Sequence, residues 1–184
     1  MVSAHQAVTL ETFAAGRGFS LEQQRRFPMA GNSHDIKVLN GLVEGLIDSA
    51  DGYHEAAVET ADAAYRTWFE ARAAERRRLA EEFKAAVRER GGSPEEDGSI
   101  LAKAQRAFMD VKHALLRNDA SVIDTVEGGE DQLKARFERA LADSELSATT
   151  KETVRRAYGE VRAGHDQLSA LKHSLDVRGG AAGS

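Results

Sequence analysis

Between residues 123 and 141 the apolar positions Ile123, Val126, Leu133, Phe137 and Ala140 recur at the steps of three and four that line one face of an α-helix. Glu130 stands inside that stripe, midway between Val126 and Leu133. A carboxylate turned into a helical core needs a partner, because an unpaired buried charge is strongly penalised. What faces Glu130 therefore decides what the centre of this protein can do.

The same periodicity predicts the other elements. Asn32, Ser33 or Asp35 can cap a first helix in which Ile36, Leu39, Val43, Leu46, Ala50, Tyr53 and Ala57 share a face. A break at Thr60 to Asp62, with Asp62 as cap, precedes a second helix carrying Tyr65, Phe69, Leu79, Phe83 and Val87. Gly91-Gly92-Ser93-Pro94 stops it. A third piece, Ser99 to Leu116, holds Ile100, Leu101, Ala104, Phe108, Val111 and Leu115. The Glu130 helix follows from Asp119 to Ala142, then a turn at Ser144 to Thr149. A last helix presents Val154, Tyr158, Val161, Leu168, Leu171 and Leu175.

Helices of about 25 residues are each about 38 Å long, and the Ser99–Leu116 piece would span about 27 Å if helical. That length suits a crossover returning along the bundle, so that helix three starts where helix two started. The predicted fold is all-α: a ferritin-like up-down four-helix bundle with a long helical crossover between helices two and three. A five-helix arrangement is the competing architecture. The predicted domains are a flexible N-terminal tail over 1–33, the bundle over 34–175, and a disordered small-residue tail over 176–184. A functional start near Met29 is an alternative for the N-terminal end.

Composition narrows the function classes. The 184 residues include 6% aromatics and two prolines, which suits helices. The net charge of −5 gives no bulk attraction to nucleic acid or anionic lipid. No cysteine is present, so disulfides, zinc–thiolate sites and thiol nucleophiles are excluded together. No run reaches the ~18 apolar residues of a membrane helix, and the first residues lack the basic start and apolar core of a signal peptide. A cytoplasmic location, without membrane or nucleic-acid partners, is the expectation.

Three short motifs carry a family resemblance. They are Asp48-Ser-Ala-Asp-Gly-Tyr-His-Glu-Ala-Ala in helix one, Arg90-Gly-Gly-Ser-Pro after helix two, and Glu127-Gly-Gly-Glu-Asp in helix three. In order and spacing the chain resembles, over about Asp35 to Lys172, an uncharacterised bacterial four-helix-bundle family of the ferritin-like superfamily (domain of unknown function 2383). The resemblance implies a ferritin-like bundle in a bacterial protein and supplies no established reaction.

Helix directions and phase sort the candidate site residues. At about 100° per residue Arg72, Arg76, Glu130, His54 and His165 point inward. Glu127 and Asp51 lie at the flank of their stripes, and Glu70, Asp48 and Glu55 point away. Counting along the helices sets Glu130 level with Arg72 to Arg76 and Val161, and Glu127 level with Glu70 and His165. A di-iron centre wants an inward Glu on two helices and Glu-x-x-His on the other two; Arg162 occupies the carboxylate position before His165, so that set is incomplete. Guanidinium groups repel divalent cations and satisfy carboxylates. The leading reading is a structural polar cluster of Arg72, Arg76 and Glu130, with His165 bonded to Glu127. The alternative is a metal, iron or manganese, held by Glu127, Glu130, His165 and His54. Gly128-Gly129 weakens its helix unless another helix, such as the crossover, packs closely there. The basic run from Arg76 to Arg78 reads as a solvated face balanced by Glu75, Glu81, Glu82 and Glu89.

The expected function is that of a non-catalytic, self-associating helical-bundle protein, with a dimer favoured and a possible link to bacterial stress. No cofactor is expected outside the metal alternative. A module docking an unidentified protein partner is a third class.

Overall fold

The computed structural model describes residues 29–98 and 119–182. The N-terminal segment before Met29 and the crossover piece Ser99–Leu116 lie outside the described residues. Among those described there are four helices and no strand, so the protein is all-α: α1 (Met29–Glu59), α2 (Ala63–Glu89), α3 (Asp119–Ala142) and α4 (Ala148–Ala182). No described helix is long and apolar enough to cross a membrane. The account below concerns the compact unit that begins at Gly31.

Local chemistry sets the breaks. Asp62 has an extended backbone, and its carboxylate accepts from Ala64 N at 2.7 Å and Tyr65 N at 3.2 Å, giving α2 its N-cap. Arg66 reaches back from α2 and donates to Ala57 O at 3.3 Å and Thr60 O at 3.1 Å. It thereby satisfies carbonyls that the end of α1 leaves open. At the far end of α2, Gly91 adopts φ 75°, a region that a side chain disfavours. Gly91 N donates to Arg88 O at 2.9 Å and Gly92 N to Val87 O at 3.0 Å, the paired bonds of a Schellman stop.

Two boundaries differ from the sequence reading. Because α1 already begins at Met29, none of Asn32, Ser33 and Asp35 is its cap. Asp35 instead serves α4, accepting from Ser147 N at 3.0 Å and from Thr150 Oγ1 at 2.6 Å, while Ser147 Oγ accepts from Thr150 N at 3.3 Å. At the C-terminus α4 continues to Ala182, through the Gly179-Gly180 pair assigned above to a tail. Backbone bonds can carry a helix end through glycine at about 1 kcal/mol per residue relative to alanine.

The inward stripes meet as two apolar clusters. One joins Leu39, Val43 and Leu46 of α1, Leu79, Phe83 and Val87 of α2, Leu133 and Phe137 of α3, and Val154 and Val161 of α4. Phe83 and Phe137 meet edge to face at 5.8 Å. The other joins Tyr53, Phe69, Ile123, Val126 and Leu168, with Trp68 packed edge-on against both Tyr53 and Phe69. Between them lie Arg76 and Glu130, both buried.

Each end of the unit has its own set of ties. At the Gly91 end Asn32 donates to Arg90 O at 2.6 Å, His34 lies 2.8 Å from Asp143, and Arg90 donates to Thr150 Oγ1 at 2.8 Å. At the Thr60 end Lys172 of α4 holds Glu127 of α3 at 2.6 Å. After α2 the chain rises along α1: Gly92 lies against Ile36, Asn40 bonds Ser93 O and Glu95 N at 3.0 Å each, and Gly98 lies beside Ile47 and Asp48.

Candidate polar site in the bundle core

The centre of the site is a forked ion pair. Arg76 Nη2 donates to Glu130 Oε2 at 2.6 Å, and Arg76 Nε to Glu130 Oε1 at 3.2 Å. Ser49 Oγ on α1 donates to Glu130 Oε1 at 2.5 Å. The third arm of the guanidinium, Nη1, donates to Glu75 at 2.5 Å, and Glu75 also holds Arg72 at 2.9 Å. The result is a run of alternating charges, Arg72–Glu75–Arg76–Glu130, that sums to zero across the core. Arg76 has 0% and Glu130 1% of its surface exposed, so the pair is cut off from solvent.

Burial works against the charge on Arg76, but the bonds and charge of Glu130 outweigh it and hold its pKa above the ordinary value. The Tyr53 ring lies 5.9 Å below the guanidinium carbon. Burial, and then the charge on Glu130, pushes the Tyr53 hydroxyl well above its ordinary pKa. That hydroxyl and Arg72 Nε are buried with no hydrogen-bond partner among the described residues. Arg76 Nη2 also comes within 3.4 Å of Val161 O. It reaches α4 because Gly164 has no side chain; a Cβ there would sit 2.6 Å from Nη2.

An arginine does not exchange protons near neutral pH, and both oxygens of Glu130 already accept hydrogen bonds. Arg76 itself is therefore no general acid near neutral pH. Its chemistry is that of a resident cation neutralising an inward carboxylate.

The structure brings Arg76 and Glu130 together at the level expected from counting along the helices. Arg72 joins only through Glu75, with its guanidinium 5.8 Å from the Trp68 ring centre. The residues of the metal alternative are dispersed. Glu127 takes Ser169 at 2.7 Å and Lys172 at 2.6 Å, and the Lys172 bond, then Ser169, holds its pKa below the ordinary value. His165 lies 2.8 Å from Asp131 and 3.2 Å from Asp166, so the expected bond to Glu127 is replaced by these two. His54 is exposed and lies 3.0 Å from Glu70, which corrects its inward assignment. Tyr53 fills the inward position, and the next residue on a helix points about 100° away. Among the described residues no three His, Asp or Glu side chains are grouped to hold a metal ion.

Gly128 and Gly129 are exposed, and a Cβ on either meets nothing within 4 Å among the described residues, so no described helix packs closely on them; the crossover expected to do so lies outside the described residues. The basic run divides: Arg76 is buried, while Arg78 pairs with Glu82 and with Glu160 on the surface. Ser49 and Gly164 are absent from the sequence reading, and Glu75, expected there to balance a solvated face, pairs with the buried Arg76. Their signals are in the spacing: Ser49 falls between Leu46 and Tyr53, Gly164 between Val161 and Leu168, and Glu75 three residues after Arg72.

The family model described as Domain of unknown function (DUF2383) matches residues 34–143, well over half of the chain. The chain belongs to this family. The match takes in α1 from residue 34 on, α2 and α3, and with them Ser49, Arg76 and Glu130 of the polar layer; α4, with Val161 and Gly164, lies beyond it. No curated protein matches this DUF2383 chain.

Proposed function

We propose that this protein is a non-catalytic bundle of ferritin-like connectivity, acting in the bacterial cytoplasm, in which Arg76 supplies the central positive charge in place of a metal. The observation that carries this reading is the forked Arg76–Glu130 pair at 2.6 and 3.2 Å, closed on the other side by Ser49. A divalent ion at Glu130 would have to displace a guanidinium, at the cost of leaving that guanidinium buried and unpaired.

Two features support the ferritin-like connectivity. Contacts at the Gly91 end join the start of α1 to the ends of α2 and α3 and to the start of α4. The chain after Gly92 climbs beside Ile36, Asn40 and Asp48, the direction a long crossover needs if α3 is to start where α2 starts. A link to stress physiology rests on the family resemblance alone. Self-association as a dimer accompanies the proposal.

Elemental analysis of the purified chain, followed by Fe(II), Mn(II) and Zn(II) titration, tests the reading. The expected result is no stoichiometric metal at micromolar concentration. One metal per chain, lost on replacing Glu127 and His165, would overturn it in favour of an iron- or manganese-binding protein. Light scattering on the same sample reads the dimer, and a monomer at working concentration removes self-association from the proposal.

A further inference from the structure

Between Gly92 and Gly98 the chain belongs to no helix, yet it is seated closely on α1 and α2. A Cβ on Gly92 would come within 2.8 Å of Ile36, and one on Gly98 would press on Asp48 and lie 3.3 Å from Ile47. A side chain at either end would have to displace its neighbour. Between the two glycines Asn40 stands in for a neighbouring strand. Its Nδ2 donates to Ser93 O at 3.0 Å and its Oδ1 accepts from Glu95 N at 3.0 Å, satisfying backbone groups that no helix pairs. On the α2 side Glu96 accepts from Lys84 at 2.9 Å and lies 3.5 Å from Arg88. The Lys84 side chain is 9% exposed and also reaches Glu81 at 3.1 Å.

This strap has almost no slack. From Ile36 to Ile47 the axis of α1 advances about 17 Å, and six steps of a fully extended chain cover about 20 Å. Its course up α1 is therefore fixed, and at Gly98 it reaches Asp48, beside Ser49 of the polar layer. All of these partners lie in α1 and α2, which are joined by residues 60–62, whereas α3 follows only after residues 90–118. Once α1 and α2 pair, seating the strap closes a loop of only a few more residues. Contacts with α3 and α4 require the longer connection to close as well, at a greater entropy cost.

We propose that α1, α2 and the Gly92–Gly98 strap form one folding unit ahead of α3 and α4, with Asn40 seating the strap and sending the chain up α1. The destination of that course, α3 starting beside the start of α2, rests on the connectivity proposed above; the seating of the strap does not.

Stopped-flow refolding of the whole chain from urea, followed by its single tryptophan, Trp68, tests the order. Asn40→Ala removes both backbone bonds and should slow refolding about tenfold while unfolding changes less than about twofold. Glu96→Gln, which weakens the tie to Lys84, should slow refolding as well. Ser49→Ala removes a bond that waits for α3, and should instead speed unfolding. Refolding unchanged in Asn40→Ala and Glu96→Gln, a loss expressed wholly in unfolding, or equal slowing by Ser49→Ala would each overturn the early strap. Spin labels on the exposed positions Thr67→Cys and Asp124→Cys read the connectivity separately. A short distance supports α3 starting beside the start of α2; a long one overturns that connectivity and leaves the kinetics to judge the strap.

Discussion

Replacing Glu130 with alanine removes the only carboxylate that Arg76 shares with the core. Two bonds from the guanidinium and one from Ser49 are lost together, and Arg76, fully buried, keeps Glu75 and the long contact to Val161 O. Breaking one side of a buried pair costs about 3–5 kcal/mol, set against a total of about 5–15 kcal/mol for a domain. With a urea slope of about 2 kcal/mol per molar, the midpoint should fall by about 1.5–2.5 M. Removing both charges is a different matter. Arg76→Met combined with Glu130→Leu leaves no buried ion behind, and Glu75 keeps Arg72; such exchanges are often close to neutral. The double variant should therefore lie within about 1 kcal/mol of the parent, giving a coupling energy of several kcal/mol between the two sites. Urea melts followed by helical circular dichroism complete the cycle. An unchanged midpoint for Glu130→Ala, or single costs that simply add in the double variant, would show that the pair is solvated and that this account of the core is wrong.

Gly164→Ala should destabilise by about 1–3 kcal/mol because its Cβ presses on Arg76 Nη2, whereas Gly128→Ala and Gly129→Ala should each stabilise by about 1 kcal/mol; thermal melts separate the signs. Asp35→Asn should cost about 2 kcal/mol at neutral pH. Burial opposes the Asp35 charge, but bonds from Ser147 and Thr150 and the charge on Arg90 hold its pKa below the ordinary 3.8. Its contribution is present above 3.8 and is lost as pH falls through the lower folded value, so the gap between parent and variant should close in acid. His165 titrates the other way: burial lowers its pKa, but Asp131 and Asp166 outweigh this and lift it above 6.5. Its stabilisation is full below 6.5 and fades as pH rises through the folded value. In an NMR titration Asp131→Asn should move the His165 midpoint down.

Much of this could be read along the chain. The α3 stripe is buried at every expected position, Glu130 included, because side chains three and four residues apart share a face whatever surrounds the helix. The breaks at Asp62 and Gly91 were equally legible, since each depends on the chemistry of a few adjacent residues. His54 was misread although its neighbour Tyr53 already belonged to the inward stripe; consecutive residues point about 100° apart on a helix, and Tyr53 is the buried one.

The sequence by itself determined four helices, the breaks at Asp62 and Gly91 and the inward place of Glu130, all consequences of local spacing. Only the tertiary structure decided what meets that carboxylate. Arg76 comes from 54 residues away in the chain and Ser49 from 81, and the guanidinium fits because Gly164 leaves it room. Partners at such separations are set by how four stripes stack at one level, and distance in space is not written in the period of any single helix.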